Sequence, residues 1–311
     1  MTAVTKLSVV VPTYRAPEQL RALLLSIAAQ SFDTAMAEII VVDDGSPEFE
    51  PAAWEGMAGA FSLTILHQSD NRGRAVARNA GIRLARGDVV IFLDGDMTVE
   101  PGFLQAHADF HTRHHGAVAV GAIRWAPEVP DTPFMRYAGS RGVGRFDVGP
   151  VPYKCFVTGN SSVPRQALLD VGCFDESFST YGGEDLELGY RLHLAGRAVF
   201  YEPSARSLHH GWKGMQGMRA SMAAYGAGSL PLLLARHPEL AGVLRLDLLQ
   251  QPLWRPRRLA LALALRPLVH ALVYRLAQWG EALGYVPALW FDYLWWYERT
   301  RAYLQAPSAE S

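Results

Sequence analysis

Two cysteines, Cys155 and Cys173, are too few for a disulfide framework, so the sequence is expected to work in a reducing compartment. Lysine is nearly missing: Lys6, Lys154 and Lys213 stand among 29 basic residues, and arginine supplies the rest, a pattern that reads as genomic bias. An excess of one charge is missing too, and a formal net charge of −1 over 311 residues argues against a general nucleic-acid binder. No run reaches the ~18 uninterrupted apolar residues of a spanning helix. The opening MTAVTKLSVVVPTY does not read as a signal peptide, because its apolar core is short and broken by Pro12. What is present is a chain that is 50% apolar, long enough for one large domain or two modest ones.

The first ~125 residues alternate between strand and helix patterns, as in a parallel sheet wrapped by helices. Strands are expected at 7–11, 38–42, 63–67, 89–93 and 117–123, with helices at 17–30, 75–85 and 103–114. Residues 126–152, rich in Pro, Gly and Arg, read as a long loop. A glycine pattern inside it (Gly139, Gly142, Gly144) neither follows a strand nor opens a clear helix, and is set aside as a phosphate loop. Short helices follow at 165–171 and 184–195, and short strands at 199–201 and 205–209. The spacing of His107, His111 and His115 puts them on one helix face, read as a plain exposed face.

The 89–93 strand runs straight into Asp94-Gly95-Asp96. Residues two apart in an extended chain point to one side, so both carboxylates can face one spot. Gly95 permits a turn and a close approach by a ligand. Paired carboxylates at a strand's carboxyl end suit a divalent cation that carries a phosphate. Pro12-Thr13-Tyr14 and Asp43-Asp44-Gly45-Ser46 end two other strands, at the sheet edge where ligands bind in such folds. Asp43-Asp44-Gly45-Ser46 fits a capped turn, or an Asp44 that accepts hydrogen bonds from a nucleobase or ribose. In the run from Asp70 to Gly81, Arg74 and Arg78 share a helix face that suits either phosphate or solvent. Glu184 and Asp185 follow Gly182-Gly183 at a helix start, as favourable dipole charges or as a general base. His209-His210 ends a strand at about the distance needed to complete a metal site, although a lone histidine is usually structural.

In this order the motifs resemble family-2 glycosyltransferases of the GT-A fold. The resemblance rests on Val9-Val10-Val11-Pro12-Thr13-Tyr14, Ile40-Val41-Val42-Asp43-Asp44-Gly45-Ser46, Asn71 with Ala77-Arg78-Asn79-Ala80-Gly81, Asp94-Gly95-Asp96, Thr158-Gly159-Asn160-Ser161 and Gly182-Gly183-Glu184-Asp185-Leu186. It spans roughly residues 5–215. Residues 174–196 also look like the C-terminal catalytic module of galactosyl- and N-acetylgalactosaminyl-transferases. The resemblance implies an α/β fold with a Rossmann-like, mixed and mostly parallel sheet. It implies a metal-dependent, inverting transfer of one sugar from a nucleotide-sugar, with UDP as the expected carrier, to an acceptor hydroxyl in glycan, glycolipid or related glycoconjugate synthesis of the cell envelope. Pro12, Tyr14 and Asp44 would hold the nucleoside, and Asn71 and Arg78 would line its pocket. Asp94 would touch ribose or donor sugar, Gly95 lying between it and Asp96. Asp96 would bind Mn2+ or Mg2+ with His209, or His210, as second ligand. Asp185 would be the base and Glu184 its acceptor-binding partner. A retaining transferase and a non-catalytic nucleotide-sugar binder remain as rivals. The processive signature QxxRW is absent, so one sugar per encounter is expected.

Residues 1–225 are therefore expected to form the transferase domain, and 226–311 a helical extension that caps it, dimerises, or lies on a membrane surface. Arg255, Arg257, Arg258, Arg266 and Arg275 interrupt its Leu and Ala, and residues 290–303 are dense in aromatics. The expected place is the cytoplasm, with a peripheral position on the inner membrane face as the extension of that reading. The partners implied are a nucleotide-sugar, a glycan, lipid-linked or small-molecule acceptor, and a second copy of the chain.

Overall fold

The computed structural model describes residues 5–250, 252 and 256–306. The elements up to position 212 are β1 (Leu7–Thr13), α1 (Pro17–Ala28), β2 (Ala37–Asp43), β3 (Ser62–His67), α2 (Arg74–Leu84), β4 (Val89–Leu93), β5 (Met97–Val99), α3 (Phe103–Arg113), β6 (Val118–Trp125), α4 (Pro133–Ser140), β7 (Gly149–Val151), β8 (Asn160–Pro164), α5 (Arg165–Asp170), α6 (Glu184–Leu194) and β9 (Val199–His209). Among the described residues the strands form one nine-stranded sheet, ordered β3-β2-β1-β4-β8-β6-β9-β5, with β7 on β9. The β3-β2-β1-β4 half is parallel. β8 runs antiparallel to β4 and β6, whereas β6 and β9 are parallel.

Strands covered on both faces read as unbroken apolar runs, and β1 and β4 do so for this reason. Val9, Val11, Ile91 and Leu93 pack with Leu20, Leu23, Leu24 and Ile27 of α1. Val10, Val90 and Phe92 face the other way, against Ala77 and Ala80 of α2 and Leu188 and Leu192 of α6. The strand ends thereby collect the polar motifs on one rim.

Three expectations need correction. Residues 126–152 are not a continuous loop, since they contain α4 and β7. The two short strands after α6 are one strand, β9, whose pairing with β6 jumps from Glu202 to Arg206. Pro203 has no N–H for a ladder, and the irregularity sits there. His107 and His111 are buried, not exposed. The Nδ2 of Asn160 donates to the carbonyl of Ala205 and to Ser207 Oγ, both at 2.9 Å. Its Oδ1 must then accept from His107 Nε2, at 3.2 Å. That leaves His107 Nδ1 to accept from Ser162 Oγ at 2.8 Å, and Ser162 Oγ to accept from His111 Nε2, also at 2.8 Å. Burial pushes the imidazoles down, His107 to about 4 and His111 to about 3, so both are neutral.

The chain divides into two compact units. The first comprises Met1–Val129, Ser140–Ser179 and Glu184–Trp212 and holds the whole sheet. The second comprises Pro130–Gly139, Thr180–Gly183 and Lys213–Ser311. It contains α7 (Met215–Ala227), which runs through position 226, then α8 (Ser229–Arg236), α9 (Leu240–Val243), α10 (Pro256–Ala264), α11 (Pro267–Ala282) and α12 (Ala288–Gln305). Within this unit Phe134 meets Phe291 edge-on at 5.3 Å, and the Tyr137 hydroxyl donates to Asp292 at 2.8 Å. Among the described residues no single helix is long and apolar enough to cross a membrane.

Candidate active site

The site is built on the rim of the first unit. The ends of β1 and β2 bring Pro12 and Thr13 beside Asp43. Asp43 Oδ2 accepts from the Ser46 N–H at 2.8 Å and lies 2.8 Å from His67 Nδ1. The two carboxylate oxygens of Asp44 accept the N–H groups of Arg72 and Gly73, each at 2.9 Å. Burial raises the Asp44 carboxyl above its ordinary range against those two donors. Asp44 thus ties the end of β2 to the loop that opens α2. Asn71 is exposed on that loop, and Tyr14 is exposed beyond β1 with Arg15 over its ring at 5.1 Å. Gly95 lies close to the end of β1: a Cβ there would stand 3.0 Å from the Pro12 carbonyl oxygen.

Arg78 was expected on the nucleotide pocket wall. It is instead 1% exposed, behind the rim, and its guanidinium is occupied by acids from two distant motifs. Nη2 donates to Asp94 Oδ1 at 2.8 Å, while Nη1 lies 3.4 Å from Glu184 Oε1 and 3.8 Å from Asp185 Oδ1. Arg74, one turn earlier, places Nη1 3.7 Å from the same Glu184 oxygen. Burial opposes the Arg78 charge, but Asp94, Asp185 and Glu184 outweigh it and hold the guanidinium protonated. Burial likewise pushes Asp94 up, but Arg78 and then Arg74 hold its carboxyl below the usual range. Glu184 is itself buried, and its Oε2 finds no partner among the described residues, so a water or a substrate hydroxyl donated there would satisfy it.

Asp185 opens α6. Its Oδ1 accepts from Thr158 Oγ1 at 2.9 Å and its Oδ2 from the Thr158 N–H at 3.2 Å. Burial, then the adjacent Glu184 carboxylate, push Asp185 up to about 6 despite Arg78. In the sequence Thr158 is one member of the Thr158-Gly159-Asn160-Ser161 motif, with no role of its own. The loop before β8 makes it the residue that orients Asp185.

The other half of the site is a carboxylate–imidazole pair. Asp96 Oδ2 lies 3.2 Å from His209 Nε2, and both side chains are partly exposed. β5 and β9 set this spacing, because Met97 stands opposite His209 in their antiparallel register. The His209 ring stacks on Trp125 at 5.2 Å, an orientation that rests on the β6–β9 register pairing Trp125 with His209. No sequence spacing announced Trp125. Gly211 leaves room for the acid: a Cβ there would be 1.9 Å from Asp96 Oδ2. His210 turns elsewhere, to Thr98 Oγ1 at 2.8 Å and to Glu128.

The model described as glycosyl transferase family 2 matches residues 8–172, and the one described as the N-terminal domain of galactosyltransferase matches residues 146–210. An uncharacterized glycosyltransferase, YfnE, of Bacillus subtilis is 28% identical, covering 70% of this chain and 69% of its own length. The pre-mycofactocin glycosyltransferase of Mycobacterium tuberculosis is 32% identical, covering 75% of this chain and 48% of its own. The validoxylamine A glucosyltransferase of Streptomyces hygroscopicus is 31% identical, covering 61% and 52%. The chain thus spans about half the length of the mycobacterial and streptomycete relatives. Among solved structures, the mannosyltransferase PcManGT of Pyrobaculum calidifontis, in complex with GDP-Man and Mn2+, superposes with a TM-score of 0.66 at 20% identity, covering 98% of this chain and 88% of that one. Staphylococcus aureus TarS 1–349 with UDP-GlcNAc gives 0.55 at 21%, covering 76% and 73%. The fold is the GT-A fold, with helices at its C-terminus, and the chain belongs to glycosyl transferase family 2.

Proposed function

We propose that the chain moves one sugar from a nucleotide-sugar, UDP-linked, to an acceptor hydroxyl, inverting the anomeric centre, with Mn2+ or Mg2+ held by Asp96 and His209. The observation that carries this reading is the convergence on Arg78 of Asp94, Glu184 and Asp185, beside the Asp96–His209 pair. Family membership supports transfer chemistry, and the structures of similar fold with UDP-GlcNAc or GDP-Man support the donor class. Relatives named for validoxylamine A and for glucosyl-dolichyl phosphate support an acceptor that is a small molecule or a lipid-linked glycan.

The residues fit a divalent cation. One carboxylate and one imidazole suit Mn2+, and their partial exposure leaves coordination positions for diphosphate oxygens and water. Among the described residues no three His, Cys, Asp or Glu side chains gather as ligands. When bound, the cation supplies neutralisation of charge on the leaving diphosphate. Asp185 takes the proton of the acceptor hydroxyl, oriented by Thr158 and held by Arg78 in register with Asp94. A pKa near 6 leaves it ionised at neutral pH and still basic enough to act, where such proton transfer is typically worth ~10²–10⁴ in rate.

Two measurements test the reading. The correct donor is expected to raise the melting temperature, by ~2.7 kcal/mol of stabilisation at a hundredfold excess over Kd. Most of that gain should need Mn2+ and vanish in Asp96→Ala; equal stabilisation without the cation removes the metal from the proposal. NMR of the product made from an α-linked donor is expected to show the β configuration. An α product would make the enzyme retaining and leave Asp185 to orient the acceptor only.

A further inference from the structure

We propose that the second unit carries a docking surface for anionic lipid, made by α10 and α11. Between Asp247 and Glu281 the sequence has no acidic residue and five arginines, on a chain whose net charge is −1. α10 and α11 meet at a 65° bend after Arg266; neither has the length and apolarity of a membrane span, but the pair taken together does. A bent, basic and apolar pair suits the interface between water and hydrocarbon.

The decisive feature is which side of α11 faces out. Leu268, Leu272, Trp279 and Leu283 are 84%, 59%, 67% and 66% exposed. Their spacing of four, seven and four puts them on one stripe of the helix. Arg275, also exposed, lies within the stripe. The opposite side holds Ala277 and Gly280, which are buried, and Glu281, the one acid of α11, whose carboxylate accepts the Phe134 N–H at 2.6 Å. Leu263 at the end of α10, and Tyr285 and Leu289 after α11, extend the exposed apolar area. A core helix would bury these leucines. A helix facing only water would carry charge of both signs there.

Charge decides between the two occupants such a face could take. A second copy of the chain, packed about a two-fold axis, would set this arginine-bearing stripe against itself with no acid to meet it. An anionic headgroup layer supplies the missing negative charge, while the leucines and the tryptophan enter the acyl boundary and the arginine stem lies along it. The inference does not depend on the chemistry at Asp185.

Co-sedimentation of the full chain with vesicles tests it. Binding to mixed phosphatidylcholine–phosphatidylglycerol vesicles is expected to exceed binding to phosphatidylcholine alone by about tenfold or more, and to weaken as salt rises. The double variant Leu272→Glu/Trp279→Glu alters two exposed side chains, so it should keep its melting temperature and lose vesicle binding. Arg275→Gln should weaken binding to the anionic vesicles and leave the small neutral-vesicle binding unchanged. Wild type that stays in the supernatant, or a double variant that pellets as well as wild type, overturns the proposal. So does light scattering that shows a wild-type dimer turned monomeric by the double substitution, which would assign the face to a second copy.

Discussion

Asp185→Asn is expected to lower kcat by ~10²–10⁴ while the donor still binds. The amide keeps the size of the carboxylate: its oxygen can accept from the Thr158 N–H while its NH2 donates to Thr158 Oγ1, so α6 should not move. It cannot take a proton. The pH dependence gives a second readout. In the wild type kcat/KM should fall as pH drops through about 6, where Asp185 becomes protonated, and that limb should be missing from the residual activity of the variant. Stability should respond in the opposite sense. The folded pKa of Asp185 lies above its ordinary value of 3.8, so the fold favours the protonated form. The stabilisation this gives is complete below the unfolded pKa and is lost as pH rises through about 6. Above that pH the wild type carries a disfavoured charge that the asparagine removes. The variant should therefore melt higher than the wild type at pH 7.5, with the gap narrowing toward pH 4. Wild-type turnover in the variant removes Asp185 as the base, and a lower melting temperature at pH 7.5 contradicts its electrostatic setting.

Arg78→Met should have the largest effect on stability. Methionine approximates the volume of the arginine stem but leaves Glu184, buried, and Asp94 without their shared cation. Removing one partner of a buried ion pair costs ~3–5 kcal/mol. Asp94 and Asp185 are partly exposed, and Arg74 stays near Glu184, so the lower end, about 3 kcal/mol, is the expectation. At ~2–4 °C per kcal/mol for a chain of this size, the melting temperature should drop by about 6–12 °C. Adding Glu184→Gln should restore part of that, because it removes the buried charge left unmatched. A single variant that melts within a degree of the wild type, or a double variant that is additive, would sink the view that Arg78 braces the acids.

The parallel half of the sheet was legible in the sequence because strands buried on both faces announce themselves as apolar runs. The positions of Asp44 and Asp94 just past strand ends followed from those boundaries, and that of Asp185 from the glycine pair before α6. What the sequence could not supply was contact between segments far apart along the chain. Arg78 looked like a phosphate-binding side chain because its partner acids lie 16 to 107 residues away. The helical spacing of His107 and His111 was visible, but solvation depends on what covers α3, and Ser162 and Asn160 arrive from β8. α4 was hidden because the Pro, Gly and Arg content of its surroundings outweighed a helix of eight residues. Which of His209 and His210 lies beside Asp96 was hidden for the same reason, since it depends on register with β5.

That register has an evolutionary corollary. Neighbouring residues of a strand look to opposite sides, so a one-residue slip of β9 past β5 would turn His209 away and present His210 to Asp96. The irregular stretch at Pro203 is where the strand already absorbs uneven residue numbers. Such a slip would also carry Trp212 into the place of Gly211, where a Cβ would stand 1.9 Å from Asp96 Oδ2, so the glycine bars any descendant of this chain from exchanging its two histidines by a single deletion.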